Sequence, residues 1–164
     1  MQEQEFIESR TEMENVLREE NTGYLGMSMD GKPYVVPLNY HYMDGKIIFH
    51  CSFKGKKLDF MRANPEVCFT VGRQPGQVRG HPGGDPCHVD SDSVVCYGRA
   101  RILEDIDERK IALNAFNRRF RPAAEDLSLE RVLKCCVVEI RISEMTGRQE
   151  REKKRTCWRS RFIY

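Results

Sequence analysis

No stretch of this sequence is apolar for long enough to span a bilayer, and no signal-peptide pattern opens it. Both absences point to a cytoplasmic protein with no membrane partner. The G-x-G-x-x-G and P-loop patterns are missing as well, which sets aside the parallel nucleotide-binding folds. Excess charge of one sign is also lacking. The 27 basic and 25 acidic residues leave a formal net charge of +2, so nothing argues for nucleic acid as a general partner, and any anion must meet a local site. Cysteines number seven but follow no regular spacing, which speaks against a disulfide framework and for reduced thiols. Cys51, Cys68, Cys96, Cys135 and Cys136 lie in apolar strand-like runs, where a thiol acts as a small hydrophobe, and are expected in the core.

What is present fills one domain of 164 residues. Residues 2–21 carry Phe6, Ile7, Met13, Val16 and Leu17 among many charges, close to a helical stripe, and read as one or two amphipathic helices. Strands are expected over 24–29 and 34–42, joined by a hairpin turn at Asp30-Gly31. Pro37 cannot donate to a ladder, so it belongs at an edge or a bulge, where a ligand could lie along the strand. A second tight hairpin, 43–46, leads into a run of β-branched and aromatic residues at 47–51. That strand ends in Ser52-Phe53-Lys54-Gly55-Lys56-Lys57, after which Leu58, Met61 and Arg62 recur at helical spacing until Asn64-Pro65 stops them. Two ammonium groups and a glycine at a helix start outline an anion site that suits a phosphate, although a solvated basic turn has the same composition.

A fourth strand is expected over 67–71, followed by a long loop, 72–92, that holds five of the twelve glycines. His81, Asp85, Cys87, His88 and Asp90 in and beside it fit no zinc spacing, so no metal site is expected. Residues 93–103 resume as a long strand in which Gly98 marks a bulge or a close approach. A helix over 107–120 would bury Ile111, Leu113, Ala115, Phe116 and Phe120, a shorter one covers 127–133, and a last strand covers 135–142 before a turn at 145–147. The end of the chain interleaves arginines with Trp158, Phe162 and Tyr164 and reads as a docking or disordered extension rather than a nucleic-acid patch. Six strand-like runs joined mostly by hairpins predict a mainly β (α+β) fold, an antiparallel barrel with peripheral helices.

Taken together, Tyr34-Val35-Val36-Pro37-Leu38-Asn39-Tyr40, Ile48-Phe49-His50-Cys51-Ser52, Gly55-Lys56-Lys57-Leu58-Asp59, Asn64-Pro65-Glu66-Val67-Cys68-Phe69 and Ser93-Val94-Val95-Cys96-Tyr97-Gly98-Arg99-Ala100 resemble the split-barrel flavoproteins related to pyridoxamine 5′-phosphate oxidase. The branch is the NimA-like one, associated with 5-nitroimidazole resistance, and the resemblance covers about residues 12–147. It implies a six-stranded antiparallel split barrel over 1–147, a charged C-terminal extension over 148–164, a homodimer, and FMN in a groove between subunits. Carried over residue by residue, it implies that the backbone of Val36, Pro37, Leu38 and Asn39 faces the flavin ring. His50, Cys51 and Ser52 would contact the flavin and its ribityl chain, and Lys56 and Lys57 would hold the phosphate. An arginine and a lysine stand at the last two places in the oxidase branch, and two lysines keep that charge without the arginine's fork.

The arginine-and-histidine pattern by which the oxidase branch holds pyridoxal phosphate is missing from 141–151, which argues against that enzyme's own reaction. His50 matches a histidine beside the flavin that could serve as the catalytic proton donor, or else it is a histidine satisfied at a strand end. Ser93 and Tyr97 match a strand near the dimer interface, and Cys87 matches a cysteine near the flavin pocket. The resemblance thus implies an oxidoreductase acting on a small oxidised substrate, nitroimidazole-like, through reduced flavin. The alternative is a non-catalytic flavin carrier or sensor.

Overall fold

The structure, a computed structural model, describes residues 3–7, 9–74, 89–151 and 154–163. The amphipathic opening is not continuous helix. It is a strand, β1 (Glu3–Ile7), and a helix, α1 (Thr11–Glu19), whose Met13, Val16 and Leu17 supply the buried stripe. β2 (Thr22–Met29) and β3 (Lys32–Asn39) form the first hairpin, turned by Asp30 at φ 52° and Gly31 at φ 75°. The strand expected to run on to residue 42 breaks at Tyr40. That side chain is fully buried, donates its hydroxyl to the Leu17 carbonyl at 2.7 Å and packs edge-on against Phe69. The chain then leaves the β2 edge as β4 (His41–Met43) and pairs with β5 (Lys46–Cys51). α2 (Lys56–Ala63), β6 (Glu66–Arg73) and β7 (Ser91–Ile102) follow. Gly98 marks the shift in register between β7 and its neighbour, as its place in the run suggested. A Cβ there would lie 2.4 Å from the Arg141 carbonyl oxygen.

α3 (Ile106–Phe120) buries only part of the expected face. Leu113 is buried as expected and Ala112 joins it, Ala115 and Phe116 are half-buried, and Ile111 and Phe120 are exposed. Arg109 donates to the Leu103 carbonyl at 3.0 Å, and the side chain of Asn114 accepts from the Leu127 amide at 2.9 Å. α4 (Leu129–Leu133) starts two residues later than expected, after Ser128. β8 (Cys136–Arg151) does not turn out at 145–147 but continues for 16 residues, and β9 (Lys154–Arg161) pairs with it. The sheet therefore runs without a break past residue 147. The segment read as a docking or disordered extension is a strand in it.

The strand order is β1-β9-β8-β7-β6-β2-β3, with β5 on β8 and β4 on β5. All pairings are antiparallel except β1 with β9. β8 is the seam, since one of its edges carries β7 while the other carries β5 along its first half and β9 along its second. The result is the expected antiparallel split barrel, a curled half-barrel with nine strands among the described residues where six were expected, around a core that includes Leu25, Phe49, Leu58, Phe69 and Ile140. A second core, Ile48, Leu113, Val132 and Val137 among others, lies between α3, α4 and the opposite face of β5 and β8. Burial on both faces explains why 47–49 and 136–140 are apolar without alternation. Cys96 and Cys136 are buried as expected, whereas Cys51, Cys68 and Cys135 are only half-buried. No helix among the described residues is long and apolar enough to cross a membrane.

Candidate cofactor site

β5 delivers the chain to Gly55, whose φ of 142° and ψ of 155° belong to a region that glycine alone enters easily. A Cβ at Gly55 would meet nothing within 4 Å, so the glycine serves the backbone path and leaves open space beside it. The Gly55 carbonyl accepts from the amides of Leu58 at 2.9 Å and Asp59 at 3.3 Å, and no side chain caps the helix. Lys56 and Lys57 are its first two residues, where amides lack intrahelical acceptors. The Lys56 ammonium lies 4.4 Å from the centre of the Tyr34 ring and 5.5 Å from that of Phe60, and these rings pack 5.1 Å apart. The Lys57 ammonium lies 5.8 Å from the centre of the Phe49 ring. Neither lysine forms an ion pair among the described residues. Two cations held by aromatic faces at an uncapped helix start make a place for a phosphate-sized anion.

Tyr34 ties this helix start to β3. Val36 and Leu38 turn inward with Tyr34 to pack on the core, while Pro37 and Asn39 face outward. Asn39 spends its amide locally, donating to the Asn21 carbonyl at 3.0 Å and to Thr22 at 3.3 Å. β3 ends the strand order, so its outer edge is unpaired among the described residues, and Pro37 stands on an edge strand as its missing amide requires.

At the end of β5, neighbouring residues point to opposite faces. Cys51 turns inward, opposite Cys136. Burial first, and then Cys136, push the Cys51 thiol up to about 11, partly offset by Lys57. His50 turns toward α3, its ring edge-on to Phe116 at 4.8 Å. His50 keeps an exposed side, and partial desolvation where its ring meets α3, followed by the charge of Lys57, holds the imidazole below the ordinary histidine range. Ser52 is exposed at the strand end and accepts from the Lys54 amide at 3.5 Å. A ligand lying on one face of β5 therefore meets the side chain of Cys51 or that of His50, and one crossing the strand end meets both. Tyr34, Phe49, Phe60 and Phe116 position these groups and escaped the reading of the sequence, although Phe60 follows Lys56 at the i, i+4 helical spacing. His81, Asp85, Cys87 and His88 lie outside the described residues.

The outer face of the sheet is graded. Register aligns Val35, Gly26, Cys68 and Tyr97 across β3, β2, β6 and β7, and beside them Pro37, Tyr24, Thr70 and Val95. Val35 is 61% exposed and Tyr97 50%, and both line a shallow groove of about 380 Å³. Across β8 and β9 the same rows continue as Glu144 and Arg161, then Thr146 and Arg159, so the face becomes charged.

A curled antiparallel half-barrel with helices set on its margins defines the split-barrel class. The chain belongs to the pyridoxamine 5′-phosphate oxidase family, whose model matches residues 9–149. A Bacteroides thetaiotaomicron VPI-5482 protein, proposed to confer 5-nitroimidazole antibiotic resistance, is 26% identical, with a TM-score of 0.75 over 86% of this chain and 84% of that one. A FAD-binding protein of Mesorhizobium loti is 28% identical, with a TM-score of 0.66 over 87% of this chain and 96% of that one. The flavocytochrome Anf3 of Azotobacter vinelandii shares the fold at 16% identity, with a TM-score of 0.73 over 96% of this chain and 79% of its own. An uncharacterized Rhizobium meliloti (strain 1021) protein is 32% identical over 65 residues, which span 40% of this chain and 42% of that protein.

Proposed function

We propose that the protein binds FMN and, as a homodimer, passes electrons from reduced flavin to a small oxidised substrate of the nitroimidazole kind. The observation that carries this reading is the Lys56-Lys57 pair at the uncapped start of α2, beside the edge of β3 that no strand among the described residues pairs. Lys56 and Lys57 neutralise the flavin phosphate, and the open space at Gly55 admits it. Along the outer edge of β3, Asn39 offers an amide and a carbonyl to the polar rim of the ring and Pro37 a carbonyl only, while Val36 and Leu38, whose backbone groups alternate toward β2, set the strand beneath it. Cys51 and Ser52 close the strand end. Bound flavin supplies the redox chemistry, and the protein supplies binding and orientation. His50, held below the ordinary histidine range, keeps in its neutral form one ring N–H to donate to a substrate oxygen. The FAD-binding protein of Mesorhizobium supports a flavin in this fold, and the resistance role proposed for the Bacteroides protein supports the class of substrate.

The test of the anchor is direct. Charge-assisted contacts are worth roughly 1.5–3 kcal/mol each, so Lys56→Ala with Lys57→Ala should weaken FMN at least about a hundredfold and leave riboflavin nearly unchanged. Equal loss for both ligands, or none, defeats the assignment. A second reading is a flavin carrier or sensor, in which His50 packs edge-on against Phe116 at the end of β5 and moves no proton. Turnover with a reduced nicotinamide cofactor and a nitroimidazole separates the two, because a carrier binds flavin without substrate-dependent oxidation.

A further inference from the structure

We propose that Cys51 and Cys136 form a redox-active pair, oxidised to a cross-strand disulfide by a small disulfide compound, with Cys51 the attacking thiol and Cys136 the resolving one. The two residues stand directly opposite each other on β5 and β8. Their place in the ladder follows from the Ile142 amide, which donates to the Gly45 carbonyl at 3.0 Å. Hydrogen-bonded and non-hydrogen-bonded pairs alternate along an antiparallel ladder, so every second pair from there, down to Cys51 and Cys136, is hydrogen-bonded, with Cα atoms about 5.5 Å apart. Disulfides most often bridge Cα atoms about 5.5–6 Å apart. Both side chains turn to the same side of the sheet, into the main core. Among the described residues no other two cysteines are opposed in a ladder, since Cys68 faces Gly26 and Tyr97, Cys96 faces Phe69 and Met145, and Cys157 faces Phe6 and Arg148.

Access sets the order of events. Cys51 is half-buried at the strand end whereas Cys136 is 1% exposed, so a reagent from solvent meets Cys51 first. Because burial and then Cys136 push the Cys51 thiol up to about 11, only a small fraction of it is thiolate near neutral pH. That thiolate attacks one sulfur of the small disulfide, forming a mixed disulfide and releasing one small thiolate. The Cys136 thiol then loses its proton and attacks Cys51 Sγ, and the second small thiolate leaves as the protein S–S bond closes. Two protein thiols are oxidised and the small disulfide is reduced to two thiols, which carry away the two protons. Cys135 is next in sequence to Cys136 but packs into the second core, on the opposite face from Cys51. The bridge joins positions about 85 residues apart and pins the end of β5, from which Ser52-Phe53-Lys54-Gly55 lead to Lys56.

Incubating the folded full-length protein with hydroxyethyl disulfide, trapping the remaining thiols with iodoacetamide and digesting with trypsin without reduction tests the pair. Mass spectrometry should find peptide 47–54 joined to peptide 135–141, with fragment ions that place the bond on Cys136 and the alkyl group on Cys135. The link should persist in Cys135→Ala and vanish in Cys136→Ala, where Cys51 stops at the mixed disulfide. Its formation should quicken about tenfold per pH unit between pH 7 and pH 9, because thiolate supply limits the attack below the pKa of Cys51. No such link in the wild-type protein, a link on Cys135 instead, a link that survives Cys136→Ala, or a rate indifferent to pH overturns the proposal.

Discussion

Lys57 links the two chemistries of the candidate site, because the ammonium placed to hold a phosphate also depresses the charge state of His50. Partial desolvation against α3 is the larger cause and remains when the lysine is removed. Lys57→Met should therefore raise the pKa of His50 without restoring it fully to 6.5, as read from the imidazole Cε1 proton in an NMR titration. An unchanged titration would mean that the two groups do not interact. His41 is displaced in the same direction, by burial and then by Arg119. A base whose folded pKa lies below its unfolded pKa binds more protons when unfolded, so protonation favours unfolding. Stability from these two histidines is thus complete above about pH 6.5 and is lost as pH falls below it. Melting temperatures measured from pH 8 to pH 5 should fall on the acid side, and less steeply in His41→Gln. A flat profile would contradict both displacements.

At the scale of elements, hairpins and buried strands were legible where local chemistry decides them. Asp30-Gly31 announces its turn through backbone φ, and Pro37 announces an edge because it lacks an amide. The lysine pair at a helix start was equally plain, because strand, glycine and helical spacing follow each other within a dozen residues. Elements fixed by distant partners were not legible. Gly147 reads as a turn, yet it stands opposite Trp158 in mid-sheet, where a Cβ would come within 2.9 Å of the indole and 2.7 Å of Met13. It is small because β9 and α1 crowd it. The charged tail gave no strand signal because its outward residues, Arg155, Arg159 and Arg161, dominate its composition, and buried Thr156 and Trp158 alternate with them. The aromatic seats of Lys56 and Lys57 were hidden for the same reason, since Tyr34 and Phe49 reach them from other strands. Trp158→Ala should accordingly cost about 3–5 kcal/mol of unfolding free energy in urea titration. A loss below about 1 kcal/mol would show that β9 is dispensable to the core.

For the molecule as a whole, the apolar part of the outer face is the surface best suited to meet a second copy in the proposed homodimer. Val35→Glu with Tyr97→Glu should convert the dimer to monomer in light scattering and weaken FMN together with it. A dimer that survives both charges would move the interface elsewhere. The parallel pairing of β1 with β9 has a consequence in time. It joins Glu3 to Lys154, about 150 residues apart, and no nearer strand offers β1 a partner among the described residues. At roughly 5–20 residues per second, a ribosome needs roughly 8–30 s to make the intervening chain, and β1 waits unpaired for all of it. Closing so long a loop is entropically the dearest step in the sheet. In refolding followed by pulsed hydrogen exchange, the amides of β1 should gain protection last, after the β6–β7 and β7–β8 ladders are already closed.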